Sequence, residues 1–177
     1  MVGAVRLGGH GAYPAPTVVL FSDLTSSACG VVRRASGPFY CVNDRRIYVE
    51  PTYLSDLPAN GGIYGDFVQA YLIAHEVGRH VRQVLDPAAA AQDVAAAEAP
   101  TAPRPGEPRA DCYAGVWFHF VRERRLVDAD ELEQGVPIVL AMPPAGAAND
   151  RAERARSFDV GLSSGDPRDC RTRAARR

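Results

Sequence analysis

The stretch GDFVQAYLIAHEVGRHVRQVL, residues 65–85, decides how the rest of the chain is read. Ala70, Ile73, Val77, Val81 and Val84 recur at the three- and four-residue intervals that place side chains on one face of an α-helix. Asp66 suits the N-cap, because its carboxylate accepts from the unpaired N–H groups of a first turn. Asp86-Pro87 marks the other end, since a residue before proline is pushed out of helical geometry. The spacing predicts one amphipathic helix between these signals.

Within it lies AHEVGRH, residues 74–80, one letter away from a helical metal-binding HExxH. A catalytic zinc takes three protein ligands, and two histidines four apart on a helix point the same way. Four residues after His75 stands Arg79, which stays protonated and has no lone pair to donate. His80 is one place late, turned about 140° from His75 in a regular helix, and only a π-bulge at Gly78 would bring it round. Glu76 and His80 are four apart and share a face, but using both as ligands would consume the residue needed to activate water.

Toward the amino terminus the pattern becomes β. PTVVLFSDL reads as a strand, Thr25–Gly37 as a Gly/Ser/Arg loop, and PFYCVNDRRIYVEP as a hairpin turning at Val42-Asn43-Asp44. Residues 1–16 are Gly/Pro-rich and read as a flexible segment. Toward the carboxyl terminus, the Ala/Pro-rich stretch 87–108 reads as a short helix and a surface connection. A second helix starts near Pro108 and carries Ala110, Tyr113, Ala114, Trp117 and Val121 on a face expected to pack on the first. His119, Tyr113 and Trp117 read as core residues and His10 as a loop residue. A third helix follows Asp128, weakened by Gly135 and Pro137; RAERARSF reads as a fourth, and residues 173–177 as a solvated basic tail.

Composition narrows the partners. The chain of 177 residues has 46% hydrophobic and 23% charged residues and a formal net charge of −1, a globular balance with no bulk attraction for nucleic acid. No run approaches the roughly 20 apolar residues of a membrane span, and glycines and prolines interrupt the start before an export signal could form. The four cysteines, Cys29, Cys41, Cys112 and Cys170, allow three pairings or none.

Several short blocks, taken in order, carry more information than any one of them. Ala28-Cys29-Gly30, Gly37-Pro38-Phe39-Tyr40-Cys41, Ile47-Tyr48-Val49, GDFVQAYLIAHEVG (65–78), ADCYAGVW (110–117) and SGDPRDC (164–170) together resemble the bacterial putative neutral zinc metallopeptidase family, across most of residues 17–172. The resemblance implies a single α+β, zincin-like domain: a small sheet over an active-site helix, with two or three further helices. It implies zinc as cofactor, a peptide or protein as substrate, His75 as first ligand and Glu76 as the general base. Glu107 stands at the third ligand position, Asp111 at that of a carboxylate orienting a ligand, and His80 at the family's additional histidine, the one residue that could serve as a displaced ligand. Arg79 departs from the family's HEVGHH at the second ligand, and Pro108 places Glu107 at a helix start. The resemblance also pairs Cys29 with Cys41 and Cys112 with Cys170, and suggests a cell-envelope or extracellular setting. Two functions follow: zinc-dependent peptide hydrolysis impaired by Arg79, or an inactive binding module in which Arg79 pairs with Glu76 or Glu107 and supplies the missing positive charge.

Overall fold

Short β-branched runs separated by turn residues build the amino-terminal half. The computed structural model of the protein describes residues 13–57, 65–86, 88, 107–141 and 151–172. Strand β1 (Thr17–Leu20) pairs in parallel with β5 (Arg46–Val49), which pairs on its other side antiparallel to β4 (Phe39–Cys41). The β4–β5 hairpin turns where the sequence places it. Asp44 organises that turn by accepting from the Ala28 N–H (3.1 Å), the Arg46 N–H (3.0 Å) and the Tyr48 hydroxyl (2.7 Å), while Arg45 takes φ 58°.

Two expectations need correcting here. The strand expected over PTVVLFSDL stops at Leu20, and the chain turns through Asp23 at φ 61°. The expected loop from Thr25 to Gly37 contains a second hairpin, β2 (Leu24–Ser27) with β3 (Gly30–Arg33), closed by Gly30 at φ 103°. Its strands bury almost nothing of their own, which is why no alternation of apolar and polar residues announces them: of β3, only Val32 is buried, against Phe21, Cys41 and Tyr48. The other sheet face, through Tyr40, Ile47 and Val49, packs on Ile73 and Val77 of the long helix.

Helix α1 (Pro51–Ser55) has proline in its first turn and Glu50 as its cap, accepting from the Tyr53 N–H at 2.8 Å. Helix α2 (Gly65–Leu85) starts one residue before Asp66, which then lies in the first turn, where a carboxylate favourably faces the helix dipole. Helices α3 (Glu107–Glu123), α4 (Ala129–Ala141), α5 (Arg151–Ser164) and α6 (Asp169–Thr172) complete the described fold. None is long and apolar enough to cross a membrane. Gly135 does not break α4: the Phe67 ring occupies the space a side chain there would need. Trp117 departs from its expected core role: it is 45% exposed and, with Phe120, borders an apolar groove against Ile73 and Val77. Tyr113 is buried, and His119 is half-buried between helices, hydrogen-bonded through Nδ1 to the Leu162 carbonyl at 2.9 Å. His10, residues 173–177 and most of the Ala/Pro-rich connection lie outside the described residues.

Helix α3 lies between α2 and α5 at backbone contact distance, and glycines make this possible. A Cβ at Gly78 would sit 2.5 Å from the Ala110 carbonyl oxygen, at Gly115 2.2 Å from that of Phe158, and at Gly161 1.9 Å from that of Cys112. Disulfides Cys29–Cys41 and Cys112–Cys170 tie the β2–β3 turn to β4, and α3 to α6. Since the atom met at Gly161 is backbone, Gly161→Ala has to separate α3 from α5. Overpacking of this kind costs about 1–3 kcal/mol or more, readable as a lower urea midpoint, and an unchanged midpoint would contradict the contact.

Candidate metal centre

The close α2–α3 crossing at Gly78 and Ala110 sets the next residues of each helix against one another. Asp111, fully buried, meets His75 of α2: its Oδ1 accepts from His75 Nδ1 at 2.8 Å. The Tyr71 hydroxyl, one helical turn earlier, donates to the same oxygen. From α5, Arg154 donates through Nε to Asp111 Oδ2 (2.7 Å) and through Nη2 to Oδ1 (3.2 Å) and to the Tyr71 hydroxyl oxygen (3.1 Å). Burial pushes the Asp111 carboxyl up, but the charges and hydrogen bonds of His75 and Arg154 outweigh it and hold its pKa below the ordinary value. Tyr71 moves the opposite way, raised well above its usual range by burial and by the Asp111 charge.

Glu76, on the sheet side of the same turn, is almost fully buried. Its Oε2 accepts the Tyr40 backbone N–H from edge strand β4 at 2.7 Å. The Nη1 of Arg79 lies 3.5 Å from that same oxygen, so Arg79 is ion-paired one turn along the helix with the neighbouring carboxylate.

His80 points into the sheet side. Its Nε2–H donates to the Pro14 carbonyl (2.7 Å), and Nδ1 faces the Tyr40 hydroxyl (3.0 Å), which in turn contacts Gln83. Both ring nitrogens are thus engaged inside the protein, and α2 is an unbroken α-helix with no bulge at Gly78. Burial lowers the His80 pKa, only partly offset by the Pro14 hydrogen bond. A histidine held neutral in the fold but not in the unfolded chain makes stability fall as pH drops below its ordinary value of 6.5. The urea midpoint should therefore decline between pH 7.5 and 5.5, and the decline should shrink in His80→Gln; equal declines in both proteins would remove His80 as its source.

Residues 7–142 match the family described as putative neutral zinc metallopeptidase. The chain belongs to this family. The uncharacterized protein YpfJ of Escherichia coli is 31% identical over 178 residues, covering 90% of this chain and 62% of its own length. The uncharacterized protein Rv2575 of Mycobacterium tuberculosis is 30% identical over 188 residues, covering 92% of this chain and 64% of its own. The chain thus spans less than two thirds of the length of these relatives. No solved structure matches it.

Zinc is the metal this metallopeptidase family implies. Among the described residues no three histidine, cysteine or acidic side chains converge as a metal site requires. His75 spends Nδ1 on Asp111, so a ligand bond from it has to come from Nε2. Arg79 holds a cation at the second position, His80 is turned away, and Glu107 opens α3 with a side chain outside the described residues. The described side chains therefore do not supply the three protein ligands that a catalytic zinc takes, and the described donor set does not fit it. The residues that sequence reasoning missed are Tyr40, Tyr71 and Arg154. Tyr40 acts through its backbone, and Arg154 sits in a charged run that reads as surface; only the i, i+4, i+7 spacing of Arg154, Phe158 and Gly161 hinted that it faces inward.

Proposed function

We propose that this chain is a non-hydrolysing member of the zinc metallopeptidase family, keeping the peptidase cleft as a binding module for a peptide or protein segment. The contact between Arg79 and Glu76 carries this reading. In the hydrolytic scheme Glu76 takes a proton from a metal-bound water. Here its Oε2 is held by the Tyr40 N–H and faces a guanidinium that does not deprotonate. Arg79 supplies, one helical turn away, the positive charge that a metal would have brought beside the carboxylates.

The His75–Asp111 hydrogen bond favours a second reading. Metal-binding histidines characteristically donate their other nitrogen to a carboxylate. In this reading His75, Glu107 and a displaced His80, which would first have to leave the Pro14 carbonyl and the Tyr40 hydroxyl, hold zinc and Glu76 activates water. Metal content and peptidase activity decide between the two. The first reading expects no stoichiometric zinc and no hydrolysis in the unaltered protein; one tightly held zinc per chain together with peptide cleavage establishes the second. The two disulfides suit an oxidising compartment, which supports a cell-envelope or extracellular setting.

A further inference from the structure

Helices α2 and α3 pack antiparallel: a Cβ at Gly78 would meet Ala110 near the start of α3, while the Phe67 ring lies 4.8 Å from that of Phe118 nearer its end. Along one side of this pair runs a groove of about 960 Å³, with Ile73, Val77 and Val81 on the α2 wall and Tyr113, Trp117 and Phe120 on the α3 wall. His75, Glu76 and Arg79 are not among its described lining residues. Trp117 is 45% and Phe120 43% exposed, and they are neighbours on one helix face. Contiguous apolar surface of this kind marks a binding site, as singly scattered exposed side chains do not.

We infer that this groove docks one amphipathic α-helix of a partner protein, about four turns long, whose end lying between Asp66 and Arg124 carries a cation on one flank and a carboxylate on the other. The walls set the length. The fifteen steps from Asp66 to Val81 span about 22 Å at 1.5 Å per residue, which is a helix of about 15 residues.

The occupant's backbone has to be helical because the walls cannot pair it. Away from the tyrosines and the charged end, the lining side chains able to hydrogen-bond are Gln69 and the Trp117 indole, and Gln69 already donates to the Leu54 carbonyl at 3.2 Å. An extended segment would bury a run of N–H and C=O groups without partners. A helix pairs its own and offers an apolar stripe at i, i+3, i+4 and i+7. The charges then orient it. Antiparallel packing brings Asp66, in the first turn of α2, to the same end as Arg124, which follows α3. Both are exposed, on opposite walls, and neither is in an ion pair among the described residues. A helix end between them is matched when a lysine or arginine on its α2 flank meets Asp66 and a carboxylate on its α3 flank meets Arg124.

Trp117 is the only tryptophan of the chain, so its fluorescence reports whether the groove is filled. The probe is a synthetic peptide of about 15 residues, acetylated and amidated, with leucines at helical i, i+3, i+4 and i+7 spacing, glutamines elsewhere, and one lysine and one glutamate flanking the stripe at one end. A second peptide of the same composition, with the leucines rearranged to break the period, is the control. Titrated into the full chain, the helical peptide is expected to move Trp117 emission to shorter wavelength and to saturate, and the control to leave it unchanged. Phe120→Glu, at an exposed position and checked for folding by circular dichroism, should weaken binding at least about tenfold, since an apolar contact is replaced by a charge. Arg124→Glu should weaken it about threefold, the scale of an exposed ion pair, and a peptide with lysine in place of its glutamate should regain the loss. No shift with the helical peptide, an equal shift with the control, or binding indifferent to both substitutions overturns the inference. So does an emission that is already at the buried position in the chain alone, which would mean that the chain fills its own groove, or one that shifts with protein concentration, which would mean that a second copy does. Zinc binding and peptide cleavage at His75, Glu76 and Arg79 bear on neither outcome, so the proposed function and this inference can fail separately.

Discussion

Arg79→His is expected to convert the chain into a zinc-binding protein. The substitution places a second imidazole four residues after His75, on the same face of α2, where helix geometry directs both rings at one point. It also removes the cation 3.5 Å from Glu76, so the repulsion a divalent ion would meet there disappears. His75 needs no rearrangement, because Asp111 already holds its Nδ1. Zinc affinity should rise by at least about 100-fold, since changes merely to residues behind a ligand are worth 10–100-fold and this change adds a ligand itself. Peptide cleavage should appear with it if Glu76 is released to act as a base. Arg79→Ala separates the causes: it removes the cation without adding a donor and should gain little. Equal zinc binding by the unaltered, alanine and histidine proteins would show that position 79 never mattered to the metal.

How much of this was readable beforehand follows from the kind of signal involved. The helix at 65–85 declared itself because burial on one side imposes a 3.6-residue period, and the β4–β5 hairpin because Asn43 and Asp44 are turn residues between apolar runs. The β2–β3 hairpin left no trace because Leu24 and Val31 point to solvent and only Val32 is inside, so its register is set by backbone pairing and by Gly30. At the site, the chemistry of His75, Glu76 and Arg79 followed from their positions on one helix, and helix geometry also placed His80 off that face. What no local pattern could show was the set of long-range partners. Tyr40 reaches Glu76 through a main-chain N–H, which is invisible in a side-chain inventory. Arg154 stands among alternating charges that ordinarily mark a solvated face, and its inward turn depends on Gly161 letting α5 approach α3 closely.

That close approach gathers three partners on the buried Asp111, and Asp111→Leu is expected to cost about 3–5 kcal/mol, the usual penalty for removing one member of a buried ion pair. The loss has three parts that fall together: Arg154 loses the carboxylate it bridges, Tyr71 loses its acceptor, and His75 loses the partner of Nδ1. If the charge of Arg154 dominates, removing it as well should relieve the damage. The double change Asp111→Leu with Arg154→Met should then be less destabilised than Asp111→Leu alone, despite altering one more buried residue, because a desolvated guanidinium is costlier than an apolar side chain of similar length. Urea unfolding of the two variants and of Arg154→Met completes the cycle. A double variant at least as unstable as Asp111→Leu would assign the loss to the hydrogen bonds of Tyr71 and His75 and not to the buried charge. The distinction reaches the cleft as well as the core, because the same carboxylate that offsets Arg154 behind the helix holds the His75 ring in front of it.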